Sequence, residues 1–234
     1  MAFVVYWPNM KFKCVIFDLD GTLADSLGDI AASVNHVLET RGLPTLSLER
    51  YAKIVGNGLR NLTVNALPPT ARDDKTVDAV FQEVLAYYRE HPIDHTKPYP
   101  GIPELIAELR GRSGRKSEIK TAVLSNKPDP LTQTVVARLF PPGSFDLVYG
   151  ETPAFKRKPD PASTWDIITE LDSSPRETLF VGDSEIDLAT ASAAECSFLG
   201  AAWGFRGRPA LLAAGADRVI DQPGELLELL ALRY

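Results

Sequence analysis

Hydrophobic and polar positions change period several times along the chain, and each change marks an element. Residues 13–18 (KCVIFD) form a short apolar run ending in an acid, the pattern of a buried strand. LDGT follows, where Gly21 permits a turn. From Asp25 the spacing becomes helical: Leu27, Ile30, Ala31, Val34, Val37 and Leu38 share a face, and Gly42 with Pro44 closes the helix. Leu48, Tyr51, Ala52 and Val55 predict a second helix, broken by Gly56-Asn57-Gly58. Residues 59–67 predict a third, closed by Pro68-Pro69, and Val77, Val80, Phe81, Val84, Leu85 and Tyr88 a fourth. Residues 91–101 (HPIDHTKPYPG), with three prolines and one glycine, read as a linker.

Downstream the pattern is regular. Helix 102–111 precedes strand 120–125 (KTAVLS), helix 129–140 and strand 145–149. Helix 161–171, strand 178–182, helix 185–194 and strand 197–201 come next, then a short helix near 208–214, strand 217–220 and helix 224–232. Strands alternating with helices at this spacing predict parallel βαβ units and an α/β fold. The first two strands, however, lie about 100 residues apart, where a βαβ unit needs roughly 30. The surplus, residues 25–92, is all helical by pattern and is expected to be an insert tethered at 22–25 and 93–100. It would sit beside the carboxyl end of the first strand, where open α/β sheets bind ligands.

Composition narrows the class. The 234 residues are 44% hydrophobic and 24% charged, ordinary for a globular chain. A net charge of −6 argues against a broad nucleic-acid or anionic-membrane surface, while leaving room for a local cationic pocket. Two cysteines, Cys14 and Cys196, make no disulfide framework, so a reducing, cytoplasmic compartment is expected, and both read as inert core thiols. No apolar run approaches the roughly 18 residues of a membrane span. The apolar N-terminal stretch lacks the basic start of a signal peptide. Met1 and Met10 are the only methionines, and Met10 is an alternative start that an intact mass would distinguish.

Four clusters carry candidate chemistry. Asp18-Leu19-Asp20-Gly21-Thr22 ends the first strand, and extended geometry points residues 18 and 20 to one side. Close like charges raise one pKa, which divides a pair into nucleophile and acid; the bland alternative is an acidic turn capping the next helix. Asp183 and Asp187, in VGDSEID, stand one helical turn apart after another strand and suit a hard cation such as Mg²⁺, or simply cap a helix. Ser125-Asn126-Lys127 offers a hydroxyl and backbone N–H groups to a phosphate oxygen, or forms an ordinary turn. Lys158, in KRKPDP, offers a positive charge, or is part of a solvated loop.

Together these clusters fall at the carboxyl ends of four strands, in order. On those motifs residues 11–234 resemble the haloacid dehalogenase superfamily of aspartyl phosphatases. The helical insert resembles the cap that this superfamily places between its first and second motifs. VGNG at 55–58, KPYPG at 97–101, SNK, KPDP, VGDSEID and WGFR at 203–206 are most similar to phosphoglycolate phosphatases. The resemblance implies a Rossmann-like core of three α/β/α layers, residues 1–24 and 97–234, with an all-helical cap at 25–96. It implies Asp18 as nucleophile and Asp20 as general acid and base, with Lys158 and Ser125 assisting. Mg²⁺ would be held by Asp18, the Asp20 carbonyl and Asp183, with Asp187 supporting the metal or orienting Lys158. Thr22, Ser125 and Asn126 would hold phosphate oxygens, and Lys127 would offset charge nearby. The ionised aspartates and a phosphate dianion sum to about −5, which Mg²⁺ and Lys158 reduce to about −2.

The implied activity is Mg²⁺-dependent hydrolysis of a small phosphorylated metabolite, with 2-phosphoglycolate foremost, by a monomer or homodimer. Arg60 and Lys53 flank the Gly56–Gly58 loop and are candidates for pairing a substrate carboxylate, with Arg206 a further one. Alternatives on the same core are a phosphomutase, a phosphonoacetaldehyde-type hydrolase using Lys53 as a Schiff base, and a non-catalytic phosphoryl-binding protein. Asp20 argues against carbon–halogen chemistry, which needs no such acid. His36, His91 and His95 read as surface residues of the insert, and LLELLAL at 226–232 as core packing or an oligomer contact.

Overall fold

The computed structural model describes residues 11–111 and 119–231. The alternative start at Met10 and the apolar N-terminal stretch lie outside them. Six parallel strands form the main sheet: β1 (Cys14–Phe17), β4 (Lys120–Pro128), β5 (Leu147–Glu151), β6 (Thr178–Gly182), β7 (Ser197–Ala201) and β8 (Val219–Ile220). Their order is β5-β4-β1-β6-β7-β8, so successive connections leave β1 in opposite directions. The crevice at that reversal lies at the carboxyl end of β1.

Strand alternation explains the layering. Val15 and Phe17 of β1, Val123 of β4, and Leu179 and Val181 of β6 pack into one apolar cluster. Cys14 and Ile16, Ala122 and Leu124, and Phe180 enter the cluster on the opposite face. Central strands buried on both sides read as unbroken apolar runs, as CVIF at 14–17 does. Helices α5 (Ile102–Leu109), α6 (Asp129–Leu139) and α10 (Gly224–Ala231) serve the first face. Helices α7 (Ala162–Glu170) and α8 (Glu185–Ala193) serve the second, and α9 (Gly207–Ala213) packs beside β7. Leu226 is fully buried in the first cluster, with the partly buried Leu227, Leu229 and Leu230 against it, so the described part of the C-terminal leucine stripe packs on the core; its last residue, 232, lies outside the described residues. The α/β class with three layers is therefore as expected. Burial pushes the Cys14 and Cys196 thiols up to about 12, and neither forms a disulfide. Among the described residues no helix is long and apolar enough to cross a membrane.

Four helices occupy the long excursion after β1: α1 (Leu27–Thr40), α2 (Leu48–Ile54), α3 (Leu59–Ala66) and α4 (Asp74–Glu90). The Ser47 and Asp73 side chains cap α2 and α4 by accepting from Arg50 N and Thr76 N. Their apolar faces close around Tyr51 and Tyr88 in a cluster of their own, which Leu131 of α6 joins from below. His36, Tyr87 and His91 stack in series at the edge of this unit, with centroid separations of 4.0 and 4.5 Å.

Several elements differ from the sequence expectation: β4 runs on to Pro128, three residues past the expected end at 125, and β8 is only Val219–Ile220 of the expected 217–220. The tethers are paired as a short antiparallel ribbon of β2 (Ala24–Asp25) with β3 (Lys97–Pro98), because proline at 98 leaves its carbonyl free to bond while only its N–H is lost. Strand β5 begins two residues later than expected, since the carboxylate of Asp146 accepts from Thr121 N at 2.8 Å and from Arg110, ending the preceding turn.

Asp29 locks the ribbon to α1. Its buried carboxylate accepts from His95 N at 3.0 Å, Thr96 N at 2.8 Å and Thr96 Oγ1 at 2.6 Å, and meets His95 Nδ1 at 2.9 Å. Burial alone would raise its pKa, but these bonds bring it below the usual carboxylate value. A lowered carboxylate stabilises the fold above its unfolded pKa and loses that contribution as pH falls through the folded one. Replacing Asp29 with Ala strands several buried donors and is expected to cost about 3 kcal/mol. Urea unfolding at neutral pH measures the loss, which should shrink in acid.

Candidate active site

The site is built at the carboxyl ends of β1, β4 and β6. Asp18 follows β1, and its N–H donates to Val181 O of β6 at 2.9 Å, which sets it beside Asp183. Its Oδ1 accepts from Leu19 N at 2.7 Å and from Lys158 Nζ at 2.8 Å. Lys158 arrives on the loop after β5, in a cis peptide with Pro159, and its Nζ also reaches Asp187 Oδ1 at 2.7 Å. Asp187 Oδ2 accepts from Ser184 Oγ at 2.6 Å, in a capping box at the start of α8. Asp183 accepts at Oδ2 from Phe205 N at 2.7 Å and at Oδ1 from Thr22 Oγ1 at 3.3 Å. Gly21, at φ +92°, passes so close that a Cβ there would lie 2.5 Å from Asp183 Oδ2.

Oxygen atoms of Asp18, Asp183 and Asp187 lie within 4.8 Å of one another, all buried. Burial and then the Asp187 charge push Asp18 well above the ordinary carboxylate range, although Lys158 pulls it back. Burial and Asp187 likewise raise Asp183 to about 7, against the Phe205 N–H, Arg206 and Lys158. Lys158 would lose its proton more readily on burial, but Asp18 and Asp187 together hold it above the usual lysine value. Three carboxylates thus share one ammonium, and the donors are oxygen only. That shortage of positive charge with hard ligands fits Mg²⁺.

Asp20 stands apart from this cluster. Its carboxylate meets Lys127 Nζ at 2.6 and 2.8 Å and accepts from Ser26 Oγ at 2.6 Å. The like charges acting on Asp18 are therefore Asp187 and Asp183, where the sequence had pointed to Asp20. Lys127 is buried, its ammonium committed to Asp20 and 4.7 Å from the centre of the Tyr88 ring. It mounts Asp20, and is not a free cation for phosphate.

Other expected ligands are also turned elsewhere. The Thr22 hydroxyl faces Asp183, and Thr22 O accepts from Trp203 Nε1 at 2.9 Å. The Asn126 amide donates to Gly56 O and Lys158 O, each at 3.0 Å, and accepts from Lys158 N at 2.8 Å, so its side chain is fully engaged. Ser125 is buried, and its oxygen accepts from Lys127 N at 3.2 Å while its own proton stays available. Arg60 does not face the site: it grips Asp78 Oδ1 at 2.7 Å on the outer surface of the helical unit, where both side chains are exposed. Lys53 is exposed on the last turn of α2 and does not line the cleft. Arg206 donates to Ala52 O and Val55 O, with Glu185 at 3.1 Å, joining the sheet side to the helical side. Arg157 does the same through Asn57 O at 3.0 Å.

A narrow cleft separates the two sides. Asp18, Asp20, Ser125, Asn126 and Lys127 form its floor, and Ile30, Val55, Leu59, Leu62 and Tyr88 its roof. Sequence reasoning missed Ser26, Ser184 and Tyr88. Ser26 and Ser184 both immediately precede helices, the usual cap signal. Only Ser184 caps its own helix; Ser26 makes no cap bond to α1 and serves Asp20.

Residues 15–201 match the family model for haloacid dehalogenase-like hydrolases. The chain belongs to that family. The phosphoglycolate phosphatase of Aquifex aeolicus (strain VF5) is 31% identical over 218 residues, 93% of this chain and 96% of its own length. The N-acetylmuramic acid 6-phosphate phosphatase of Pseudomonas aeruginosa is 30% identical over 225 residues, 95% of this chain and 96% of its own. A crystal structure from Lactobacillus delbrueckii subsp. bulgaricus, provisionally assigned as a phosphoglycolate phosphatase, superposes with a TM-score of 0.86. It is 31% identical, covering 94% of this chain and 99% of that one.

Because Asp18 and Asp183 hold protons more tightly when folded, the metal-free protein should lose stability as pH rises from about 4 to about 7. Magnesium competes with those protons. It is expected to raise the melting temperature by several degrees at pH 8 and far less at pH 5.5 in thermal scans. Equal shifts at both pH values would show that these carboxylates do not govern its binding.

Proposed function

We propose that the protein is a Mg²⁺-dependent phosphomonoesterase that works through an aspartyl phosphate on Asp18. The observation that carries this reading is the buried Asp18 held by Lys158 beside Asp183, with Asp20 on a separate mount of its own. Residues 1–24 and 97–234 form the catalytic core in this reading, and 25–96 the cap.

Asp18 presents an oxygen to phosphorus. As that bond forms, the bond from phosphorus to the substrate's ester oxygen breaks, and the leaving oxygen takes a proton from Asp20. Asp20 then accepts a proton from water, whose oxygen attacks phosphorus and releases the Asp18 carboxylate and inorganic phosphate. Ser26 and Lys127 fix where Asp20 stands. Lys158 balances charge at Asp18, and Ser125 donates to a phosphoryl oxygen. The Asp18 and Asp183 carboxylates, with the Asp20 carbonyl, would hold Mg²⁺, which supplies charge stabilisation for the phosphoryl group when bound. Asp187 serves by orienting Lys158, since Lys158 and Ser184 already occupy its oxygens.

Relatives named for phosphoglycolate hydrolysis support 2-phosphoglycolate as the first substrate to test, and the sugar phosphatase relative supports a wider panel. Lys53, exposed outside the cleft, gives no support to a Schiff-base mechanism. The presence of Asp18, Asp20, Lys158 and Asp183 in one site weighs against a non-catalytic role.

The test is phosphate release from 2-phosphoglycolate and p-nitrophenyl phosphate with Mg²⁺ or EDTA. Release is expected only with the metal, and Asp18→Asn should lower kcat by about 10³-fold or more. Full activity in excess EDTA would overturn the metal assignment, and an active Asp18→Asn variant would overturn the nucleophile.

A further inference from the structure

The roof of the cleft carries one unexplained polar atom. Tyr88, on α4, is 1% exposed, and its hydroxyl proton has no acceptor: the group that reaches the hydroxyl is the Lys127 ammonium, itself a donor. A buried hydroxyl whose proton has no acceptor is costly, and packing does not account for it, since phenylalanine would fill the same space. The other roof side chains, Ile30, Val55, Leu59 and Leu62, are apolar, and the loop between them contributes Gly56 and Gly58. Among the described residues that line the roof, the Tyr88 hydroxyl is the one polar side-chain atom. The Lys127 ammonium, whose bonds go to Asp20, lies 4.7 Å from the ring centre. Through that shared neighbour Tyr88 stands beside the residue assigned to protonate the leaving oxygen. The arginines near the roof cannot substitute for it, because Arg60, Arg157 and Arg206 are engaged by Asp78, Asn57 O and the α2 carbonyls.

We propose that Tyr88 is a specificity-determining residue whose hydroxyl donates to an oxygen on the substrate's leaving group. The class recognised is a short phosphomonoester with a carboxylate, carbonyl or hydroxyl oxygen one or two bonds from the ester carbon. Its carbon frame lies under Ile30, Leu59 and Leu62. This rests on the phosphomonoesterase reading above. Binding supplies the acceptor that the free protein lacks, and an analogue without that oxygen leaves the hydroxyl proton unmet.

The experiment compares kcat/KM for 2-phosphoglycolate and glycerol 3-phosphate with that for ethyl phosphate, which lacks the acceptor. Wild type is expected to prefer at least one oxygen-bearing ester by about tenfold or more, and Tyr88→Phe to reduce that ratio about tenfold, mainly through KM. Thermal unfolding supplies a second readout: Tyr88→Phe leaves no acceptor stranded and removes only a contact with Lys127, whose ammonium stays bound to Asp20, so its melting temperature should change little. A preference unaltered by Tyr88→Phe, no preference in wild type, or a melting temperature several degrees lower would each overturn the assignment. Release from p-nitrophenyl phosphate keeps the two readings apart. Its Mg²⁺-dependent hydrolysis without any oxygen preference rejects Tyr88 alone, whereas no release from any of the four esters rejects both.

Discussion

The Lys158 ammonium is the point on which the site depends. It is buried, lies within 2.8 Å of both Asp18 and Asp187, and is the one cation in contact with the three-carboxylate cluster among the described residues. Removing one partner of a buried ion pair leaves an uncompensated charge, a larger cost than never having built the pair. Much of the surrounding structure serves to bring this group in. Asn126 holds the Lys158 backbone from both sides, and Ser184 fixes the far oxygen of Asp187. These contacts join the ends of β4, β5 and β6 into one rigid floor, with Asp18 between them.

Asp20 follows a different logic. It lies two residues from Asp18, yet its carboxylate is served by Lys127 from β4 and Ser26 from the start of α1. Charge compensation is thus divided, with one lysine for each aspartate of the first motif. Ser26 also lies next to the β2–β3 ribbon and three residues before Asp29, whose carboxylate ties α1 to the return strand. The mount of the acid and the root of the helical unit are therefore the same short stretch of chain.

Much of the fold was legible because its signals are local. The apolar runs of β1, β4 and β6 and the helical spacing of α1 to α4 follow from burial alone, and the distance between KCVIF and KTAVLS exposed the insertion. Asp18, Asp183 and Lys158 were legible as residues at strand ends. Their partners were not, since a hydroxyl or amide can turn towards any of several neighbours. Thr22 and Asn126 have the chemistry to hold phosphate, but their side chains face Asp183 and the Lys158 backbone. Arg60 and Lys53 flank the right loop, yet helix phase sends the first to Asp78 and leaves the second exposed. Tyr88 lay hidden in a core stripe, where its ring obeys the periodicity and its hydroxyl leaves no trace in the pattern.

The grip between the two sides of the cleft falls largely on main-chain atoms. Asn126, Arg157 and Arg206 reach across to the carbonyls of Gly56, Asn57, Ala52 and Val55. A carbonyl is offered by every amino acid, so at Ala52, Val55 and Asn57 the side-chain identity is only loosely tied to the contact itself, whereas Gly56 is held to glycine by its φ of +118°. Substitution there can reshape the roof while the latch beneath it persists. An architecture fastened in this way can change what it accepts without relearning how to close, which separates the evolution of selectivity from the preservation of the reaction chamber.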